Sequence, residues 1–216
     1  LSDNTAIFGG GVYNAGSGIL NIFNSTVSGN SAGQGGAIAN SGGTVIVTNS
    51  TVSGNSANQG GGIANTGTLN IANTIIANST SGGDYLSSGG TIGTNTNNLV
   101  EDGSLPGTSE ITGDPLLGPL QNNGGPTFTQ ALLSGSPAIG AGSATISNAT
   151  PINGLDQRGF VRNNSDIGAY SYNFANQNDA VVSVDNTNQV VLTLSSSGAT
   201  LSDVHTSFNS VNNTLT

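Results

Sequence analysis

The chain has 216 residues, and its 11 acidic side chains against two arginines and no lysine give a formal net charge of −9. This acidic balance, without a basic patch, argues against binding to nucleic acid or to anionic membrane surfaces. The sequence contains no apolar run of about 18 residues, so we expect no transmembrane helix and no direct membrane insertion.

A repeat with a period of about 25 residues dominates the first part of the chain. The phrase NSTVSGNSA at residues 24–32 recurs at residues 49–57, and QGGAIAN at residues 34–40 recurs as QGGGIAN at residues 59–65. Weaker copies precede and follow these two, with offsets of one residue more or less. A fixed period of this length indicates one structural unit stacked as a solenoid.

The repeated unit consists of short strands. Apolar residues alternate with polar ones at Leu20 and Ile22, and the same pattern returns in the next copies, which is typical of half-buried strands. The 34 glycines and the many Asn, Ser and Thr residues disfavour helix. We predict about three strands per unit, near Leu20–Phe23, Thr26–Ser28 and Ala37–Ala39.

These features predict an all-β fold, a right-handed parallel β-helix with about 25 residues per coil. Coils of this kind lie about 4.8 Å apart, and the right hand is expected because parallel crossover connections nearly always have it. Equivalent residues should then stack in columns. The predicted apolar columns are Val27, Val52 and Ile76; Val12, Ile38 and Ile63; and, in a tighter corner, Ala6, Ala32 and Ala57.

Two sets of asparagines are expected to have structural roles in the coils. Asn24, Asn49 and Asn73 should form an amide ladder in which each side chain bonds to the coils above and below. The second set should occupy left-handed corners, a conformation that asparagine tolerates better than most residues. Its members are Asn30, Asn55, Asn40 and Asn65.

The chain divides into three zones. Residues 1–83 are predicted to form the regular β-helix coils, with Asp3 as their one charged side chain. Residues 84–172 contain prolines and most of the charged residues, and should form irregular C-terminal coils and a capping region. Residues 173–216 should be a β-strand extension or the start of a following domain, with a hairpin formed by residues 180–185 and 190–195.

Three phrases in the middle zone carry a family resemblance. They are DPLLGPLQNNGGPTFTQALLSGSPAIGAG at residues 114–142, DQRGF at residues 156–160 and DIGAY at residues 166–170. With the upstream repeats, this pattern resembles the choice-of-anchor Q domain family of bacterial surface proteins. The resemblance covers about residues 1–172 and implies a right-handed parallel β-helix, similar in shape to pectate lyases and polymorphic outer-membrane proteins, in the cell envelope. Gly140 and Ser171 stand where the family usually has acidic residues.

The densest group of ionisable residues is Asp156, Arg158, Arg162 and Asp166. One interpretation is a sugar-binding or lyase-like site, with an arginine as base and carboxylates that hold calcium. The alternative, which we favour, is structural: Arg158 pairs with Asp166 or Asp156 and closes the last coil. The regular coils offer no paired carboxylates for hydrolysis or elimination, so we expect no enzymatic activity.

No cofactor is expected, with calcium as the one alternative. The coils lack the aspartate of calcium-binding glycine-rich repeats. The acidic residues of the middle zone could still gather around a loop ion, since calcium prefers oxygen ligands; these are Asp84, Glu101, Asp102, Glu110 and Asp114. His205 is the single histidine and has no cysteine or second histidine for a metal site.

The sequence favours a structural role outside the cell. The absence of Cys and Met suits an oxidising, extracellular location such as a bacterial cell surface. Leu1 aligns with Val27, so the chain begins partway through a coil and should expose unpaired strands. We expect self-association into a head-to-tail homopolymer, with residues 173–216 adding a strand to a neighbour. The alternatives are an adhesin module that binds neutral glycans and, third, a polysaccharide-active enzyme.

Overall fold

The computed structural model describes residues 1–107, 110–162 and 165–172, together with the strand backbones within residues 180–215. Contact clustering divides the chain into two compact units, Leu1–Tyr172 and Asn173–Thr216. In the first unit, the strands of coil 1 are β1 (Thr5–Phe8), β2 (Val12–Ala15), β3 (Ile19–Phe23) and β4 (Thr26–Ser28). Those of coil 2 are β5 (Ser31–Gln34), β6 (Ile38–Ser41), β7 (Thr44–Thr48) and β8 (Thr51–Ser53).

The stack continues through two further coils. Coil 3 contains β9 (Ser56–Gln59), β10 (Ile63–Asn65), β11 (Thr68–Ala72) and β12 (Ile75–Ala77), and coil 4 contains β13 (Tyr85–Ser87), β14 (Thr91–Thr96) and β15 (Asn98–Val100). After them come β16 (Glu110–Ile111), β17 (Leu117–Gln121), β18 (Thr129–Leu132) and helix α1 (Ala144–Asn148). Strands β1 to β16 form parallel sheets in the orders β1-β5-β9, β2-β6-β10-β13, β3-β7-β11-β14 and β4-β8-β12-β15-β16.

This topology confirms a parallel β-solenoid of about four turns with about 25 residues per turn. The right hand of the coil stays a prediction. Coils 1 to 3 have four strands each rather than the predicted three, because β1, β5 and β9 form an additional sheet. That sheet is largely exposed: every residue of β1 is exposed, so Ala6 does not fill the tight interior corner predicted for its column.

The predicted apolar columns run through the solenoid core. Val52 pairs with Val27 on one side and with Ile76 on the other, and all three are buried. Ile38 pairs in the same way with Val12 and Ile63, of which Ile63 is fully buried. Burial of these aliphatic side chains removes apolar surface from water and is the main stabilising contribution to the stack.

Glycine is required where neighbouring coils come closest. A Cβ on Gly36 would overlap the carbonyl oxygen of Gly61, and a Cβ on Gly61 would overlap that of Ser81. These backbones approach so closely that no side chain fits between them. The glycine-rich phrase of each repeat is thus explained by coil-to-coil contact.

A second apolar layer covers the outer face of the sheet formed by β4, β8, β12 and β15. Ile75 and Ala77 point away from the solenoid interior and pack in one cluster with Leu132, Ala138 and Ile167. The strands of this sheet are consequently buried on both faces. The C-terminal part of the first unit therefore packs along the flank of the solenoid.

The described strands of the second unit form two antiparallel pairs. Strand β19 (Ala180–Val184) pairs with β20 (Val190–Leu194), which confirms the predicted hairpin strands. Strand β21 (Phe208–Asn209) pairs with β22 (Thr214–Leu215). The candidate residue His205 lies outside the described residues.

Candidate functional site

The asparagines predicted to form an amide ladder occupy the tight corners of the coils instead. Asn24, Asn49 and Asn73 have φ angles of 43°, 48° and 47°, each between two consecutive strands. A corner residue in this left-handed conformation turns its side chain outward, away from the next coil's asparagine. The ladder assigned to these three residues is wrong, because their side chains bond to the flanking layer.

These corner asparagines, together with Asn97, hold one segment, residues 141–155, which we call the strap. Asn97, a fourth positive-φ corner, donates to the Ala141 carbonyl at 3.3 Å, and Asn73 donates to the Ser143 carbonyl at 3.0 Å. Continuing along the strap, Asn49 donates to Ser147 Oγ at 3.1 Å and Asn24 to the Leu155 carbonyl at 2.9 Å. The strap thus runs across all four coils, from coil 4 back to coil 1.

The amide ladders are formed by the asparagines that had been predicted as corners. Asn30 donates to Asn55 at 3.0 Å and accepts a bond from Asn4 at 2.9 Å. In the second ladder, Asn40 donates to Asn65 at 2.8 Å and accepts from Asn14 at 2.9 Å. Strand alternation was the available signal: Asn40 lies two residues after the inward-facing Ile38, so it shares the interior face and needs buried partners.

Asp156 and Arg158 form a buried ion pair beneath the C-terminal layer. The distance from Arg158 Nη2 to Asp156 Oδ2 is 2.6 Å, and the side chains of Arg158 and Asp156 are 2% and 0% exposed. The guanidinium also donates to the Ser171 carbonyl at 2.9 Å and lies 3.7 Å from the ring centroid of Tyr170. The structure thus selects Asp156 rather than Asp166 as the partner of Arg158, and neither side chain reaches solvent to act on a polysaccharide.

The carboxylate of Asp166 is buried and accepts hydrogen bonds from three neutral donors. Gly140 N donates at 2.8 Å, Ser171 Oγ at 2.8 Å and Tyr172 N at 2.7 Å. Gly140 and Ser171 thus place neutral groups at the Asp166 carboxylate. Acidic side chains there would bring further negative charge close to a buried carboxylate, which is unfavourable without a cation.

Arg162 bonds to backbone carbonyls at the end of the strap. Its guanidinium donates to the carbonyls of Leu155 at 3.1 Å and Gly168 at 2.8 Å, and to Asn24 Oδ1 at 3.3 Å. Burial lowers the pKa of Arg162 to about 10, although Asp156 and Asp166 oppose the shift. Arg162 remains charged near neutral pH and fixes the strap to the corner of coil 1.

The acidic residues of the middle zone do not gather into an ion site. Asp84 and Asp102 are neighbours, with the Asp84 amide donating to Asp102 Oδ2 at 2.9 Å and the Asp102 amide to Asp84 Oδ2 at 3.2 Å. Glu101 instead accepts from the Asn78 amide at 2.6 Å. Among the described residues, no three acidic, histidine or cysteine side chains are placed to hold a metal.

The two carboxyls of this pair are shifted in opposite directions. Burial raises the pKa of Asp84, and the nearby charge of Asp102 adds to the rise. Burial also acts upward on the pKa of Asp102, but hydrogen bonds from the Asp84 amide and from Ser104 outweigh it and lower that pKa. The contribution of this pair to the stability of coil 4 therefore depends on pH.

The solenoid core opens at the coil 1 end into a cavity of about 910 Å³. Its apolar wall includes the inward-facing Val12, Leu20 and Val27, and the loop between β17 and β18 adds Pro126 and Phe128. Strands β1, β2 and β3 surround the opening as sheet edges, whereas residues 1–3 pair with the outer side of β4. This end of the stack therefore combines exposed strand edges with apolar core surface.

The first coil also differs from the others on its outer surface. Its outward positions include the large apolar side chains of Phe8, Tyr13 and Ile19, which are 46%, 48% and 72% exposed. The residues paired with them in later coils are small or polar: Gln34 and Gln59 follow Phe8, Ala39 and Ala64 follow Tyr13, and Thr44, Thr68 and Thr91 follow Ile19. Within coils 1 to 4, the large exposed apolar side chains are therefore confined to the first coil.

Within the described part of the chain, no helix has the length and apolarity needed to cross a membrane. Comparisons with protein-family models, with curated proteins and with solved structures gave no match to this chain.

Proposed function

We propose that this chain is a non-enzymatic structural protein whose copies stack head-to-tail. The observation that carries the proposal is the open coil 1 end, where strand edges surround an apolar cavity of about 910 Å³. Exposed strand edges pair readily with other strands, and closing the cavity would remove its apolar wall from water. A coil from a second copy supplies both contacts.

The opposite end of the stack offers a complementary edge. Strand β14 is the terminal strand of the sheet that begins with β3, and Ile92 within it packs against the solenoid core. Strands β3, β7 and β11 pair residue for residue without a register shift. Strand β14 keeps this register at Thr91 and Ile92, before a shift opposite Leu69 and Asn70. In the proposed assembly, Thr91 and Ile92 of one copy continue the register onto β3 of the next, and repetition of that contact produces a filament.

The β19–β20 hairpin is proposed as a second contact, adding a strand to a neighbouring copy. Because residues 1–172 form a compact unit by themselves, a chain that ends at Tyr172 tests this contact. We expect it to retain the β-rich circular dichroism spectrum and to lose long filaments. Filaments of unchanged length would contradict a role for the hairpin.

The proposed location is extracellular, at a bacterial cell surface, and the proposed family is the choice-of-anchor Q domain family. The absence of cysteine and methionine supports the location. The phrases at residues 114–142, 156–160 and 166–170 support the family. The non-enzymatic role is supported by the mutual burial of Asp156 and Arg158.

Electron microscopy of the full chain at neutral pH tests the proposal. We expect regular filaments from the parent chain and dispersed rods from Asn21→Lys, because lysine on an edge strand disfavours pairing. Asn70→Lys is the matched control, since Asn70 lies in the same outward column but in coil 3, away from the edge. Dispersed rods from the parent chain, or filaments from Asn21→Lys, would contradict the proposed contact.

A further inference from the structure

We infer that a groove on the outer face of coils 1 to 3 binds a neutral saccharide, an activity separate from the proposed stacking. The groove has a volume of about 140 Å³ and is lined by Phe8, Tyr13, Gln34, Ala39, Ser41 and Thr66, among others. We call it the flank groove. It lies on the side of the solenoid rather than at the open end, so stacking leaves it accessible.

An aromatic platform forms one end of the flank groove. The rings of Phe8 and Tyr13 stack with centroids 5.7 Å apart and an interplanar angle of 27°. Both are about half exposed, whereas the other tyrosines, Tyr85, Tyr170 and Tyr172, are each 5% exposed. Aromatic side chains offer a large apolar face that stays rigid on binding, and the C–H face of a pyranose ring is the matching surface.

The floor of the flank groove is apolar, and its sides carry polar groups that can bond to sugar hydroxyls. Ala39 and Ala64 follow Tyr13 in its column, so the floor is low and apolar where the tyrosine ring ends. On the sides, Gln34 Nε2 donates to Gln59 Oε1 at 2.9 Å, and Ser41 and Thr66 contribute hydroxyl groups. Amides and hydroxyls both donate and accept hydrogen bonds, as sugar hydroxyls require.

The charge distribution selects a neutral ligand. Asp3 is the one charged side chain within residues 1–83, and the net charge of the chain is −9. The groove therefore has no cation to bind a uronate or sulfate, and the field of the whole chain repels anionic sugars.

The repeat itself supplies variants that remove the platform without disturbing the coils. Tyr13→Ala and Phe8→Gln each place in coil 1 the residue that coils 2 and 3 carry at that position. Ile19→Thr is the matched control: it removes an exposed apolar side chain of the same coil in another sheet, again restoring the residue of the later coils. Circular dichroism checks that all three variants are folded.

The experiment is a glycan array probed with the fluorescently labelled full chain and its variants. We expect the parent to bind neutral glucan, mannan or chitin oligosaccharides and not oligogalacturonate. Tyr13→Ala and Phe8→Gln should each bind roughly tenfold more weakly, the loss of one aromatic contact, while Ile19→Thr binds as the parent does. The edge variant Asn21→Lys should also retain binding, which separates this inference from the proposed assembly.

Protection of Tyr13 from ring nitration provides a second measurement. Tyr13 is the exposed tyrosine, so its nitration rate should fall when the bound oligosaccharide is added. The inference is overturned if no neutral glycan binds, if both platform variants bind as strongly as the parent, or if the saccharide leaves Tyr13 unprotected. It is equally overturned if Tyr13→Ala changes self-association and leaves saccharide binding intact.

Discussion

Asparagine has two distinct roles in this solenoid, and the local backbone decides between them. Where φ is positive, as at Asn49, the side chain leaves the coil and bonds to the strap. Where the residue lies in an extended strand and faces inward, as at Asn40, it bonds to the equivalent residues of the neighbouring coils. The two sets look alike in sequence because both recur with the same period.

Removal of an interior ladder residue such as Asn40 should lower the free energy of unfolding. Asn40 donates to Asn65 and to the carbonyls of Gly43 and Thr68, and all of these acceptors lose a donor in Asn40→Ala. Because buried polar groups left unpaired each cost about 1–3 kcal/mol, we expect a loss of about 3 kcal/mol in the free energy of unfolding. Urea denaturation followed by circular dichroism measures it.

Asn70→Ala serves as the control for the ladder variant, because Asn70 lies on the outward face of β11. A surface change of this kind should alter the free energy of unfolding by about 0.5 kcal/mol or less. Equal losses in Asn40→Ala and Asn70→Ala would show that the ladder does not stabilise the stack.

The Asp84 carboxyl should give a pH dependence of defined sign. Its pKa in the folded chain is raised above the ordinary value of 3.8, so its stabilising contribution is present at low pH and is lost as pH rises through the raised pKa. The asparagine of Asp84→Asn does not titrate, so the variant does not lose stability in this way as pH rises. We therefore expect the unfolding free energy of the variant, relative to the parent, to increase from about pH 3 to about pH 7.

Denaturation of parent and Asp84→Asn across that pH range makes the comparison. Asp102 acts in the opposite direction, because its lowered pKa contributes stability that is lost on acidification, but it is present in both chains. A difference between the two chains that does not vary with pH would contradict the shift assigned to Asp84.

At the scale of elements, the strap and the layer around it are a separate structural feature from the coils. The coils are held by parallel strand pairing and by their aliphatic core. The strap is held by corner side chains, and the layer beside it contains the buried pair of Asp156 and Arg158. Loss of the pair should therefore loosen the layer before it affects the coils.

Arg158→Ala tests this separation. Removal of one partner of a buried ion pair typically costs about 3–5 kcal/mol, and Asp156 would be left charged and buried. We expect hydrogen exchange to accelerate in residues 141–172 and to stay slow in β6 and β10. The double variant Asp156→Ala/Arg158→Ala should lose less stability than the sum of the single variants, whereas uniform acceleration across the coils would contradict a separable layer.

The sequence predicted the elements of the coils but not the covering layer. Repeat offsets and alternation located β3, β4, β6 and their equivalents, because each copy repeats the same local pattern. The strap has no repeat and α1 has five residues, so periodicity had no pattern to detect there. Asn24 and its equivalents bond to residues up to 138 positions away in the chain, a separation that no local sequence rule covers.

At the scale of the whole molecule, the first coil carries both proposed activities on different surfaces. Its strand edges and apolar cavity face along the axis of the stack, and its aromatic platform faces outward. Head-to-tail stacking would repeat the flank groove once per copy along a filament. Weak contacts to a polymeric glycan would then add through multivalency.

Cysteine cross-linking tests head-to-tail stacking most directly, because the chain has no cysteine of its own. If β14 of one copy continues the register onto β3 of the next, Thr91 lies beside Ile19 of the neighbour. Adjacent parallel strands are about 4.8 Å apart, within the range of about 4.4–6.8 Å that a disulfide spans between Cα atoms.

Ile19→Cys/Thr91→Cys should therefore give a ladder of disulfide-linked multimers on a non-reducing gel. Ile19→Cys/Thr44→Cys joins two residues already paired within one chain and should remain monomeric under the same oxidation. A monomeric Ile19→Cys/Thr91→Cys chain, in conditions where the control pair closes, would contradict head-to-tail stacking through the coil ends.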